Sequence, residues 1–411
     1  MSEIVVIGGG VIGLATAVTL ARQGHGVRVI EASPVRNAAS WGNAGHIAVE
    51  QVSPLAAPAT LRTIPKRLFS AGGALALPPS MIRHWLPFGL RMLRASSPRC
   101  FEAGRHALAG LLADAMPAWS RLLTAVARPD LLRCDGHIIA WESTRSAAAG
   151  RAAWEAAETG SARIDAVQEG DLAMLREMTG GRIADAIQFH GSGQISDLDQ
   201  LADVLEEALL TAGGEIIRSA AALHVENGRA SVKGHAAELV LVAAGVGSRS
   251  LMTTAGHYAP LIAERGYHIR ASADRWPAQL PPLVLEDRSM IVTRYADCVQ
   301  AASFVEFGAP DAPADPRKWQ RLERHVSEIG LPLRGPFTRW MGARPTLPDY
   351  LPAIGRSRRV PNLLYAFGHQ HLGLTLAPVT AEIVSALVCG ETVPVDLAPF
   401  AVERFGRKHQ A

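Results

Sequence analysis

The sequence predicts an α/β fold, with a parallel nucleotide-binding unit at its start and a β-rich second domain. Three observations predict it. Residues 4–31 read as strand, glycine-rich turn, helix and strand. Residues 238–248 and 362–389 each pass from a buried apolar run through glycines into a helix, as strands followed by packing helices do. Residues 264–270 and 290–307 read as sheet belonging to another domain.

In the first unit, residues 4–7 form a short buried-strand run. Gly8-Gly9-Gly10-Val11-Ile12-Gly13 follows and contains G-x-G-x-x-G. Gly8 makes the tight turn, Gly10 lets the backbone approach a pyrophosphate, and Gly13 lets helix and strand pack closely. Residues 14–22 read as a helix whose N-terminus offers free N–H groups to phosphates. Gly24-His25-Gly26 breaks it, and residues 27–30 are a second strand closed by Glu31. Glu31 can accept hydrogen bonds from ribose hydroxyls and would repel a 2′-phosphate. The competing reading is a signal peptide or anchor, because residues 4–21 carry no charge. Met-Ser-Glu at the start is not a positive n-region, and the glycines and Glu31 fit neither.

At 411 residues the chain suits two domains or one large discontinuous fold. With 48% hydrophobic and 19% charged residues it can bury a large core. A net charge of +3 is too mild to argue for nucleic acid. Cys100, Cys134, Cys298 and Cys389 are scattered, with no C-x-x-C. That pattern implies reduced thiols, a cytoplasmic location and no zinc site. Beyond the first segment no apolar run is long enough to span a bilayer.

Residues 32–54, ASPVRNAASWGNAGHIAVEQVSP, read as a loop close to something. Asn43, Ala44, Gly45 and His46 are the part placed against a cofactor; the alternative is an ordinary surface loop. Residues 51–101 hold seven basic residues (Arg62, Lys66, Arg67, Arg83, Arg91, Arg94, Arg99) and no Asp or Glu, with Phe69, Trp85, Leu86, Phe88 and Leu90 interleaved. This is either a basic amphipathic hairpin touching anionic membrane or an excursion folded over the substrate domain. Helices are expected at 107–127, 150–179, 197–212, 318–329 and 374–389, and a strand at 131–141. Asn227-Gly228 marks a hairpin. Gly245 and Gly247 follow a buried strand without the full fingerprint, so no second dinucleotide site is expected. Residues 340–355 read as loop around Arg344, and residues 362–373 as a strand ending in a His369-Gln370-His371 turn.

These segments together resemble the D-amino acid oxidase superfamily of flavoproteins, which includes glycine oxidase and sarcosine oxidase. The resemblance is carried by VVIGGGVIGL with Glu31, the Asn-Ala-Gly loop, LVLVAAGVGS, GARPTLPDYLPAIG and NLLYAFGHQHLGLT. It extends from residue 4 to about 385. Within the superfamily the chain resembles the bacterial D-amino acid dehydrogenases, and SWGNAGHIAVEQVSP, ERGYHI, WMGARPTLPD and YAFGHQHLGLT resemble the D-hydroxyproline dehydrogenase branch. The resemblance implies non-covalent FAD and a Rossmann-like FAD-binding domain (1–60, 145–260, 337–411) interleaved with a β-rich α+β substrate domain (61–144, 261–336). It places the cofactor against Gly8, Gly10, Val11, Ile12, Gly13, Glu31, Ala32, Asn43, Ala44, Gly45, the hairpin near Ala222, Gly245, Gly368, His369, Leu372, Gly373, Leu374 and Thr375. Arg344 matches the position that binds the substrate carboxylate in many members. No cysteine stands near Arg344 to attach the flavin covalently.

A flavin takes a hydride at N5, so the protein mainly positions the substrate. Arg344 can grip a carboxylate with two parallel hydrogen bonds; its alternative role is to satisfy loop carbonyls. Tyr267 and His268 can bond carboxylate or amine, or simply pack in the sheet. His46, His369 and His371 can line the flavin pocket, and no metal site is expected from them. Three functions compete: a dehydrogenase of D-amino or cyclic D-imino acids, an oxygen-using oxidase of glycine or sarcosine type, and an accessory flavoprotein subunit. The first is the leading expectation, with cis-4-hydroxy-D-proline before D-proline as substrate. Electrons would go to a quinone or other carrier, at the inner face of a membrane if the basic segment binds there.

Overall fold

The computed structural model describes residues 1–406, with the side chains of Ala59, Leu61 and Arg62 left aside. The expected end of the FAD-binding domain at 407–411 and the Arg62 side chain therefore lie outside the described residues.

The N-terminal βαβ unit forms the centre of a six-stranded sheet. Its order is Glu215–Arg218, Gly26–Glu31, Glu3–Ile7, Leu239–Val242, Leu363–Phe367, Ala353–Arg356. The first five strands are parallel and the last is antiparallel. The central strand shows no alternation of buried and exposed residues: Ile4, Val5, Val6 and Ile7 are all buried, as a strand covered on both faces requires. One cover is the helix Val11–Arg22, which packs against the last helix, Gly373–Cys389. Residues 370–389 have a mean hydropathy of 1.8 and could span a bilayer by length. Their surface is instead mostly buried inside the fold, against the helices Val11–Arg22 and Ala115–Ala125.

The second sheet has nine strands. Its order is Thr338–Thr346, Ile262–Ser272, Cys298–Gly308, Met290–Arg294, Leu283–Leu285, His137–Trp141, Asp185–His190, Arg163–Ala166, with Leu75–Ala76 added beside Cys298–Gly308. A small third sheet, His46–Ile47, Gly193–Ile195 and Leu132–Arg133, joins the two.

Two expectations change here. Residues 340–355 are not all loop: Arg344 sits on the strand Thr338–Thr346, paired with Glu264. Pro345 is tolerated because this is the edge strand of the sheet. Arg163–Ala166, Asp185–His190 and Thr338–Thr346, expected on the side of the N-terminal unit, are hydrogen-bonded into the nine-stranded sheet and not the six-stranded one. Strand partners are set by contacts distant in sequence, which local patterning does not carry.

The basic segment 51–101 folds over the large sheet. In the helix Ile82–Ala95, Phe88 and Met92 turn inward, with Phe88 against Phe307 at 5.3 Å between ring centres. Ile82, Leu86, Leu90 and Leu93 on the same helix stay 45–54% exposed.

Beneath the large sheet lies a buried charge cluster. Glu306 pairs with Arg265 at 2.8 Å and accepts from the Tyr267 hydroxyl at 2.9 Å and from Lys318. Arg265, Glu306 and Lys318 are each at most 2% exposed. Removing the carboxylate leaves buried Arg265 without its counter-ion and leaves Lys318 only Asp315, at 3.0 Å. Glu306→Ala is expected to cost about 3–5 kcal/mol of stability, read as a lowered midpoint in urea unfolding. A loss below about 1 kcal/mol, the size of an exposed pair, would show that the cluster is not holding the sheet and the helix Pro316–Ile329 together.

Candidate active site

One cavity of about 1710 Å³ runs between the two sheets. Gly8, Gly10, Val11, Ile12, Glu31 and Ala32 border one end, and Glu264, Gly266, His268, Trp340 and Arg344 border the other. Asn43, Ala44, His46, Gly245, His369, His371, Gly373 and Leu374 lie along it as well.

The first end is built by glycine. Gly8 has φ +116°, open to glycine and strained for other residues, and a Cβ there would collide with the carbonyl of Ala243. A Cβ at Gly13 would collide with the carbonyl of Gly8, so Gly13 serves helix packing and does not border the cavity. Gly10 caps the helix Val11–Arg22 without a side-chain hydrogen bond. Glu31 accepts from the Gly9 and Ser33 N–H groups at 2.6 and 2.8 Å, which fixes its carboxylate at the end of its strand. The Val11 N–H donates to Ser40 Oγ at 3.1 Å; a helix N-terminus of this kind beside a fixed acid is the chemistry that holds a pyrophosphate and a ribose. These residues fit a dinucleotide cofactor and would hold it.

The Asn-Ala-Gly loop is tied down from several sides. The carbonyl of Asn43 accepts from the Tyr295 hydroxyl at 2.7 Å and from Gln300 at 2.9 Å. Gly45, at φ +73°, donates to the Asn43 side chain at 2.9 Å. Ala48 donates to Thr375 Oγ1 at 3.0 Å, joining the loop to the last helix. Gly45, Ala222, Gly368, Leu372 and Thr375 do not border the cavity. They support its walls, and Ala220 and Ala221 border it in place of Ala222. The last helix opens on the cavity with Gly373 and Leu374.

At the other end Arg344 is oriented by a buried carboxylate. Its Nη1 is 3.2 Å from Glu264 Oε1, and Glu264 Oε2 accepts from Thr346 at 3.1 Å and Tyr350 at 3.2 Å. Glu264 is 1% exposed, whereas the Arg344 side chain is 28% exposed. One edge of the guanidinium is thus held, and Arg344 still borders the cavity. A Cβ at Gly266 would collide with the guanidinium, so this glycine makes the room Arg344 occupies. Trp340 covers Gly42 and Gly342 and stacks on His268 at 4.9 Å and 14°. His268 Nδ1 lies 3.1 Å from the Gly42 carbonyl; a carbonyl only accepts, so Nδ1 carries the proton. His371 Nε2 meets Gln51 Oε1, and His369 Nε2 is 3.0 Å from Thr380 Oγ1.

Tyr267 is a correction. It borders the cavity, but its hydroxyl donates to Glu306 and accepts from the Asp315 N–H at 3.2 Å, in the buried charge cluster. Successive side chains of a strand point to opposite faces. Glu264, Gly266 and His268 share the cavity face of Ile262–Ser272, and Arg265, Tyr267 and Ile269 take the other. Glu264, Gly266, Trp340, Tyr350 and Gln51 were not singled out from the sequence. A glycine inside the ERGYHI strand was the available signal, because it marks close approach by another group.

A family model for FAD dependent oxidoreductases (DAO) matches residues 3–387. The chain belongs to this family. FAD is its cofactor, and the chain is an FAD-dependent oxidoreductase. Over 98% of its length it is 27% identical to a D-amino-acid oxidase of Bradyrhizobium diazoefficiens, across 423 residues and 99% of that protein. It is likewise 27% identical over 425 residues to a D-amino acid dehydrogenase of Cereibacter sphaeroides, covering 98% of this chain and 95% of that one. Its fold is similar to that of a glycine oxidase from Geobacillus kaustophilus, with a TM-score of 0.72 at 20% identity and 98% coverage of both chains.

Burial pushes His268 and His369 down to about 3 and His371 down to about 4. They stay neutral in the folded protein where a histidine in the unfolded chain begins to protonate, near pH 6.5. The unfolded state then binds more protons, so their contribution to stability is present above about pH 6.5 and is lost as pH falls toward 4. The melting temperature is expected to drop across that window, with a shallower slope in His369→Gln. Parallel slopes in the two proteins would rule His369 out as a source.

Gly266→Ala is expected to displace Arg344 and raise the substrate KM by about tenfold or more, roughly 1.4 kcal/mol, with FAD still bound. Arg344→Ala should cost on the order of 2–5 kcal/mol in kcat/KM. Unchanged kinetics in both variants would remove Arg344 from the site.

Proposed function

We propose that the chain is a dehydrogenase of D-amino or cyclic D-imino acids, with cis-4-hydroxy-D-proline the first candidate and D-proline the second. The observation that carries this reading is Arg344, held on one edge by Glu264 and bordering the cavity. It can grip a substrate carboxylate by a planar fork. Bound FAD supplies the hydride acceptor.

The remaining wall selects the substrate. The stacked pair Trp340 and His268 borders the cavity together with Phe307 and Leu77, a lining that suits a ring better than a charged side chain. A cyclic secondary amine is already near the shape of its imine product, so little rotational freedom is lost on reaching the transition state. His268 Nε2, neutral because of burial, is available to accept from a hydroxyl or an amine. The names of the two curated relatives support oxidation of a D-amino acid in general. The resemblance of the Asn-Ala-Gly and His-Gln-His segments to the hydroxyproline branch supports the narrower choice.

The acceptor we infer is a quinone or another carrier at an anionic membrane surface. Leu86, Leu90 and Leu93 are exposed and border the cavity's outer end, beside exposed Lys66, Arg67, Arg83 and Arg94. Exposed leucines on a segment that carries exposed cations and no acid over residues 51–101 match the chemistry of such a surface.

The test compares kcat/KM for cis-4-hydroxy-D-proline, D-proline, D-alanine and sarcosine, with a quinone analogue and with oxygen. The expected order is the order written, with the quinone faster than oxygen. If D-alanine or sarcosine wins by tenfold, about 1.4 kcal/mol, the cyclic substrate is wrong. Peroxide formed as fast as the quinone is reduced would make the protein an oxidase.

A further inference from the structure

We propose that His46, Glu50 and His137 form a binding site for one divalent metal ion of the zinc class. The three come from different parts of the fold. His46 lies on the small strand His46–Ile47, Glu50 follows it in the loop, and His137 opens the strand His137–Trp141 of the large sheet. Their ligand atoms all lie within 4.8 Å of one another. His46 Nε2 is 3.2 Å from Glu50 Oε1, and His137 Nε2 is 4.0 Å from the same oxygen.

Both rings are turned by their other nitrogen. His46 Nδ1 is 3.3 Å from the Gly193 carbonyl, which can only accept, so Nδ1 carries the proton. Its Nε2 is left to face the carboxylate. His137 Nδ1 is 2.9 Å from Ser192 Oγ, and its ring is stacked on Phe189 at 4.5 Å and 16°. A second-nitrogen hydrogen bond to a carbonyl or similar group is the usual way a metal-binding histidine is aimed.

The site also has unmet valence. Glu50 is 4% exposed, and its Oε2 has no hydrogen-bond partner among the described residues. Among those residues its ion-pair partners are the two histidines, with no lysine or arginine. With its proton on Nδ1, a neutral His46 turns the Nε2 lone pair toward a carboxylate 3.2 Å away, and that contact needs a cation; His137 Nε2, 4.0 Å away, carries its own proton where Ser192 donates to Nδ1. A proton would satisfy one of the two contacts. A metal ion would use both rings and one carboxylate oxygen, and a water bound to it would donate to the other oxygen. Zinc bonds of about 2.0–2.1 Å imply ligand–ligand edges of roughly 3.3 Å in a tetrahedron. The His46–Glu50 edge is already there, and the His137 edge must shorten by roughly 0.7 Å to match those bonds. His46 also borders the large cavity, from which water would complete the coordination. Two imidazoles and a carboxylate, with no thiolate, suit Zn²⁺, Co²⁺ or Fe²⁺. The ion would tie the Asn-Ala-Gly loop to the large sheet independently of which substrate is oxidised.

The test uses the FAD-loaded enzyme, treated with a chelator, given Zn²⁺ or Co²⁺, and desalted. Elemental analysis is expected to find about one ion per chain, and Co²⁺ to give the visible absorption of a four-coordinate site. The metal should also raise the melting temperature. Glu50→Gln and His137→Gln should retain less than about a tenth as much metal while keeping the flavin spectrum that reports a folded protein. The cobalt spectrum of the unmodified enzyme decides the matter if a variant does not fold. Failure of the unmodified enzyme to retain metal, or equal retention by folded variants, overturns the proposal and leaves a proton as the shared cation.

Discussion

The alternation of the strand Ile262–Ser272 is the constraint on which both the site and the substrate domain depend. That strand pairs without interruption with Thr338–Thr346, and with Cys298–Gly308 on either side of one register shift between Arg265 and Tyr267, so its own pleat is held against a slip of one residue. A slip would exchange every side chain between the two faces. One face puts Glu264, Gly266 and His268 toward the cavity. The other puts Arg265 and Tyr267 into a charge cluster with Glu306 and Lys318. The cavity wall and the anchoring of the sheet are therefore two outputs of a single registration.

Glu264 shows how the cost of a buried charge is met at this site. It is nearly fully buried, yet three groups, from Arg344, Thr346 and Tyr350, hydrogen-bond to it. All three partners follow from one neighbouring strand and the turn after it. Arg344, which borders the cavity, is thus held before any ligand arrives, which reduces the ordering that binding there must supply.

The nucleotide half of the site was legible because its signal is local. Gly8, Gly10, Gly13 and Glu31 lie within one βαβ unit, and each does a task that short-range geometry dictates. At the other end of the cavity the sequence carried residue types but not their placement. Arg344 was picked out, while its seat on an edge strand depended on pairing with residues 262–270, far away in sequence. Tyr267 and His268 are neighbours in sequence and looked equivalent. Only the phase of the pleat separates them, and that phase is set by partners that a single sequence does not reveal. Glu50 and His137 were missed for a related reason. His46 and Glu50 sit four apart, but the third member comes from another sheet, so no local ligand spacing exists to be read.

The packing of the first helix on the last has a consequence for biosynthesis. Val11–Arg22 finds its cover in Gly373–Cys389, and Gln23 receives a hydrogen bond from Ser385 at 2.7 Å. At about 5–20 residues per second, the ribosome needs roughly 20–70 s to make the intervening chain. Throughout that interval the part of the first helix that meets Gly373–Cys389 lacks its native partner, although the helix Leu198–Thr211 reaches the first helix earlier. The nucleotide fingerprint, though translated first, can be completed only when nearly the whole chain has emerged, so cofactor capture is a late event in the life of the nascent protein.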